Sequence, residues 1–136
     1  MPAGYSGTPL VKKLGIKEGH VVQTVGEPPE FGGLLEGLPK SVQMRPGIAG
    51  EADIVMLFVT EREVLEREVP PAASAIFPNG AIWVAWPKRA SKVPTDVTED
   101  TVRAVVLPQK LVDNKVCAIN DVWSGLRVVW RREHRK

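Results

Sequence analysis

Few residues in this chain stand at spacings that could do chemistry. The clearest group is Lys88, Arg89, Ser91 and Lys92, which follow the apolar run AIWVAWP. Ammonium and guanidinium groups beside a hydroxyl can hold a phosphate or carboxylate through charge-assisted hydrogen bonds. The same composition also describes a solvated basic loop. Thr60 closes a second long apolar run, DIVMLFVT, and Gly26 closes a third, HVVQTVG. If the three runs are parallel strands of one sheet, Gly26, Glu27, Thr60, Glu61, Pro87, Lys88, Arg89 and Ser91 gather at its carboxyl edge, where open α/β sheets bind ligands. Trp123, between Asp121 and Ser124, falls in the connection of a predicted hairpin. There it could cap the sheet or anchor an aromatic ligand or a partner.

Other chemistry is poorly provided for. The one cysteine, Cys117, lies in the apolar run KVCAI and reads as a small core residue rather than a nucleophile. The only histidines, His20 and His134, are far apart, so neither a catalytic triad nor a metal ligand set is expected. No residue is assigned a catalytic role. Glu61 and Glu63 read as helix N-terminal charges. A lone cysteine fits a reducing compartment. No apolar run approaches the roughly 20 residues of a membrane span, and the first residues do not form a leader. A cytoplasmic protein without a membrane partner is expected. The net charge of +2 is too small to argue for nucleic acid. The basic end, RREHRK from Arg131 to Lys136, reads as a frayed, solvated terminus.

The elements that position these residues follow from the apolar pattern. The 136 residues predict one domain, with residues 1–7 as an extended arm. Thr8 and Pro9 read as the cap and first residue of a helix over Pro9–Leu14 that stops at Gly15. A strand over His20–Val25 follows, then a weak helix through Phe31, Leu34 and Leu35. A short strand, SVQMR, ends at Pro46-Gly47. The connection IAGEA leaves no room for a further strand and helix, so this strand is expected on the far side of the first. From Asp53 to Lys88 the pattern is strand, crossover, strand. The two strands are near-continuously apolar, as in a parallel sheet covered on both faces. The crossover predicts a helix capped by Thr60 with Glu63, broken at Pro70-Pro71 and resumed over AASAIF. The right-handed crossover rule sets the two strands side by side. Asp96 with Glu99 predicts the cap of a helix through Val102, Val105 and Val106. KVCAIN and GLRVVWR then predict an antiparallel hairpin whose last strand lies at the sheet edge. Trp83 and Trp86, three apart on one strand, are expected on opposite faces.

Two resemblances rest on these stretches. KLGIKEGHVVQTVG resembles the opening helix, turn and first strand of class I methyltransferases, and FPNGAIWVAWPK resembles their fifth strand with the turn before it. The implied fold is a Rossmann-like three-layer α/β sandwich, mostly parallel with a C-terminal antiparallel hairpin, lacking one strand-helix unit. YSGTPLVKKLGIK, ADIVMLFVT, AIWVAWPK and VCAINDVWSGLR together resemble an uncharacterised bacterial family, domain of unknown function 3052. That resemblance implies no reaction.

A class I methyltransferase would bind S-adenosylmethionine at a glycine-rich turn after the first strand. Here the turn is GEPPEFGG, with Pro28 and Glu30 where later glycines belong. Pro28 and Pro29 remove two N–H donors, and the glutamates disfavour phosphate. Thr24 stands where such enzymes carry an acid, and Arg45 and Pro46 stand where the second strand should end in one. S-adenosylmethionine is therefore disfavoured. The expected function is a non-catalytic or vestigial module binding a small anionic ligand or a protein partner at the carboxyl edge, as monomer or homodimer. The alternative is a methyltransferase-like enzyme with an atypical cofactor loop.

Overall fold

A computed structural model describes residues 9–135, so the expected arm and the Thr8 cap lie outside the described residues. The strands are β1 (Val21–Val25), β2 (Gln43–Pro46), β3 (Ile54–Phe58), β4 (Ala81–Pro87), β5 (Leu111–Ala118) and β6 (Trp123–Trp130). They form one sheet in the order β2-β1-β3-β4-β6-β5. The first four are mutually parallel, while β6 runs antiparallel to both β4 and β5. β2 lies beyond β1, and β3 lies beside β4, as the connection lengths required. The last strand, however, is not the edge. β6 is inserted between β4 and β5, because its alternating buried residues Leu126 and Val128 continue the apolar surface of β4.

The link from β2 to β3 departs from the rule that a parallel crossover takes a dozen or more residues. Residues 47–53 do it without a helix. Two short strands make this feasible: seven extended residues reach roughly 23 Å, well beyond the length of either. The loop is held down by Gln23, buried in β1, whose Nε2 donates to the Ala49 carbonyl at 2.7 Å.

Two apolar layers sandwich the sheet. On one face, α3 (Arg62–Ile76) and α4 (Glu99–Val106) bury Leu65, Val69, Ile76, Val102 and Val106 against Val55, Leu57, Val84 and Trp86. On the other, α1 (Leu10–Leu14) and α2 (Phe31–Leu34) bury Val11, Leu14 and Phe31 against Met56, Phe58 and Trp83. Trp83 and Trp86 thus face opposite layers. Trp83 is fully buried and donates from Nε1 to the Leu14 carbonyl at 2.9 Å, which ties α1 to the sheet. Gly15 closes α1 in the left-handed conformation. Cys117 is buried in the second layer, and its burial pushes the thiol pKa up.

The crossover helix corrects two expectations. It runs unbroken through Pro70 and Pro71. Each proline leaves a carbonyl one turn back, at Glu66 and Arg67, without a donor. Those residues and both prolines are exposed, which leaves the two carbonyls open to solvent, while Val69, Ala72 and Ala73 keep the buried face continuous. Its cap is not Thr60. Glu61 occupies the N-cap without a side-chain bond, and the Arg62 amide is satisfied by Asp96 Oδ1 at 2.7 Å. Asp96 therefore caps α3, not its own helix. α4 instead begins at Thr98, whose hydroxyl accepts from the Thr101 amide while Thr101 Oγ1 accepts from the Thr98 amide. Asp96 is a tertiary cap that sequence spacing cannot reveal.

The basic end is also more ordered than expected. The Arg131 amide donates to the Lys110 carbonyl, residues Arg132–His134 form a 3-10 turn, and Arg135 Nε donates to the Trp130 carbonyl at 2.8 Å. Trp130 itself is fixed by its Nε1 bond to the Ala73 carbonyl.

Candidate functional site

After β1 the chain turns onto the α2 face, and after β3 it turns onto the α3 face. Because β1 and β3 are neighbours, their carboxyl ends flank a topological switch point, the place where open α/β sheets form a crevice. Gly26 stands on one side and Thr60 on the other.

Gly26 has φ +70, and a Cβ there would lie 2.5 Å from the Phe58 carbonyl oxygen. Only glycine allows the β1 turn to pass this close to β3. Just before it, the buried Thr24 hydroxyl donates to Glu27 Oε2 and so orients that carboxylate beside the turn. Phe31, opening α2, meets the Phe58 ring edge-on at 4.9 Å, and Trp123 also meets Phe58 edge-on, at 5.2 Å. These three rings line the carboxyl end of β3 on the α2 face.

Thr60 contributes through its backbone. Its carbonyl accepts from Thr95 Oγ1 at 2.7 Å and from the Asp96 amide at 3.2 Å, which pins the loop that caps α3. Lys88 and Arg89 follow β4, with β3 intervening between them and β1. Gly26 and Lys88 are thus two strand spacings, roughly 10 Å, apart. The Lys88 amide donates to the Val122 carbonyl at 2.7 Å, fastening this loop to the hairpin. Ser91 Oγ donates to the Lys88 carbonyl at 2.7 Å and accepts from the Val93 amide at 3.3 Å. Its hydroxyl therefore serves the 3-10 turn Arg89–Ser91, while Arg89 projects as an exposed side chain. Trp123 is not in the hairpin connection. It is the first residue of β6, paired with Pro87, and its amide donates to Asn120 Oδ1.

The fold brings Gly26, Thr60 and Trp123 around the end of β3 and sets Lys88, Arg89 and Ser91 to one side. Sequence spacing missed Glu27 as Thr24's partner, and it missed Phe31 and Phe58 as ring neighbours of Trp123. The only signal was the three-residue separation of Thr24 and Glu27 in TVGE, which a turn at Gly26 closes.

The chain resembles solved methyltransferases in three dimensions. Magnesium protoporphyrin IX methyltransferase from Synechocystis PCC 6803, with S-adenosylmethionine bound, superposes with a TM-score of 0.62 at 11% identity over 90% of this chain and 74% of that one. Fibrillarin from Aeropyrum pernix, also with bound S-adenosylmethionine, gives 0.62 at 12% identity over 93% and 70%. A methyltransferase dependent on S-adenosylmethionine from Aquifex aeolicus gives 0.56 at 13% over 92% and 89%. The fold is the methyltransferase fold. No family model and no curated protein sequence matches the chain, so the resemblance to domain of unknown function 3052 rests on the quoted residues alone.

Proposed function

We infer that this chain binds S-adenosylmethionine at the switch point between β1 and β3, as a methyltransferase-like protein with an atypical cofactor loop. The observation that carries this reading is the Thr24–Glu27 hydrogen bond beside the left-handed Gly26. The acid that the methyltransferase resemblance calls for at position 24 is supplied three residues later, and Thr24 aims it. The features that disqualify a dinucleotide do not disqualify this cofactor. S-adenosylmethionine has no phosphate; it carries a sulfonium and an ammonium group. A turn short of N–H donors and bearing Glu27 and Glu30 repels phosphate but attracts such cations.

When bound, the cofactor supplies an electrophilic methyl group. Glu27 and the Gly26 backbone would hold it, and the Phe31, Phe58 and Trp123 rings would exclude water from one side. No general base is assigned. The test is calorimetric titration of the wild-type chain and Glu27→Gln with S-adenosylmethionine and S-adenosylhomocysteine. Saturable binding to the wild type, weakened about ten-fold by Glu27→Gln, which is about 1.4 kcal/mol, supports the reading. Binding that Glu27→Gln leaves unchanged, or no heat with either ligand, overturns it.

A second reading is a non-catalytic module that holds a small anion or a protein partner at the same edge. The exposed Arg89 and the absence of an acid at the end of β2, where Arg45 and Pro46 stand, favour it. Its signature is a melting shift with phosphorylated metabolites, removed by Lys88→Gln with Arg89→Gln, and none with S-adenosylmethionine.

A further inference from the structure

The carboxyl edge is not the one place where the fold forms a cavity. A groove of about 450 Å³ opens at the opposite, amino edge, between α1, the starts of β3 and β4, and the β5–β6 pair. A volume of this size is within the roughly 300–1,000 Å³ of small-molecule sites. Its lining is cationic: Lys12, Lys13, Lys17, Lys115 and Arg127, with Asp53 the only carboxylate among the described residues. That carboxylate is already engaged, since Asp53 Oδ2 accepts from the Val21 amide at 2.8 Å. Among the described residues, none of the five cations is in an ion pair.

The placement of Arg127 is what folding alone would avoid. It pairs across the ladder with Lys115 on one side and Trp83 on the other, so all three share the face that packs on α1. Like charges directly opposite on a ladder are destabilising. Lys115 Nζ donates to the Lys13 carbonyl at 3.0 Å, which folds a third basic residue toward the pair. Arg127 is also partly buried, and burial together with the nearby Arg135 pushes its guanidinium below its ordinary pKa. A smaller cavity of about 200 Å³ shares Asn79, Asn114 and Arg127 with the groove and adds Arg135. Five cations that line one concavity with a single carboxylate among them are completed by an anion of several charges.

The geometry points to this groove as a binding site for a short polyphosphate, either inorganic or the tail of a nucleotide. One phosphate would leave most of the cations unanswered. Among the described residues, no Phe, Tyr or Trp lines the groove, so none of them offers the stacking platform that single-stranded nucleic acid uses. The side chains of Asn79 and Asn114 offer amide donors to terminal oxygens.

The test is calorimetric titration of the full chain with tripolyphosphate, ATP, AMP and sulfate at about 0.15 M salt, where exposed long-range attraction is screened. Tripolyphosphate and ATP should bind saturably and at least ten-fold tighter than AMP or sulfate. Arg127→Gln and Lys115→Gln should each weaken binding about ten-fold while the melting temperature without ligand holds or rises. Lys13→Gln, on the helix α1 rather than in the sheet, serves if either strand variant fails to fold, with the same expected loss. Arg127→Gln should leave S-adenosylmethionine affinity unchanged, which separates this site from the carboxyl edge. The proposal is overturned by the absence of saturable binding, by equal affinity for sulfate, or by variants that bind as well as the wild type. An oligonucleotide that binds tighter than tripolyphosphate, with affinity rising with length, also overturns it in favour of a nucleic-acid surface.

Discussion

The two edges of this sheet are built from opposite materials. The carboxyl edge is rings, prolines and acids: Phe31, Phe58 and Trp123 around the end of β3, with Glu27 fixed by Thr24. The amino edge is a polar groove lined by Lys13, Lys115 and Arg127, none of them in an ion pair among the described residues. A sheet of parallel strands joined by helices leads one to look for ligands at the first edge. The second is the one at which like charges, Lys115 and Arg127, stand opposite each other on the ladder. The difference teaches that topology and charge can point to different edges of one sheet.

The largest expected effect tests how tightly the carboxyl edge is closed. Gly26→Val adds a Cβ 2.5 Å from the Phe58 carbonyl and forces a β-branched residue to φ +70. A loss of about 3 kcal/mol or more is expected, read as a lowered urea midpoint. Stability within error of wild type would mean that β1 and β3 are not in contact there. Next is Trp83→Phe, which removes the Nε1 bond to Leu14 and leaves a void under α1. A loss of roughly 2 kcal/mol is expected. Faster amide exchange confined to residues 10–16 would show that this tie positions the wall of the cationic groove.

The cap of α3 gives a smaller, sharper contrast. Asp96→Ala should cost about 1 kcal/mol, while Glu63→Ala should change stability by less than about 0.5 kcal/mol. Equal effects would restore the local cap that the TEREV spacing suggests. The smallest effect probes the amino edge directly. Lys115→Glu turns the repulsive pair with Arg127 into an attractive one and should raise stability by about 0.5 kcal/mol, seen as a higher melting temperature. A drop would mean that the two side chains do not face each other across the ladder.

Most of the fold was legible because it rests on local and periodic signals. DIVMLFV and AIWVAWP are too apolar to be anything but central strands, and residues 47–53 are too few to hold a helix and another strand. What was not legible depends on contacts between distant residues. The edge position of β5 follows from the match of β6 to β4. The caps of α3 and α4 were misread because Asp96 is three residues before Glu99 and yet bonds to Arg62. The candidate residues at the carboxyl edge were named from strand ends alone, and the fold gathers only Gly26, Thr60 and Trp123 around β3. The cationic groove was invisible for a simple reason. Its residues lie between positions 12 and 127, and none of its pairs has a spacing that means anything before the chain is folded.

The two outer strands have a consequence for the protein in bulk. β2 has only four residues, the last of them Pro46, which offers no amide to a neighbour. β5 is interrupted by a bulge between Asp113 and Lys115, and it presents Lys115 beside the exposed Val116. Neither makes a good template for strand addition by a second copy. In a concentrated solution the sheet should therefore remain six strands wide, and a dimer, if one forms, should use a face or a loop rather than a continued ladder.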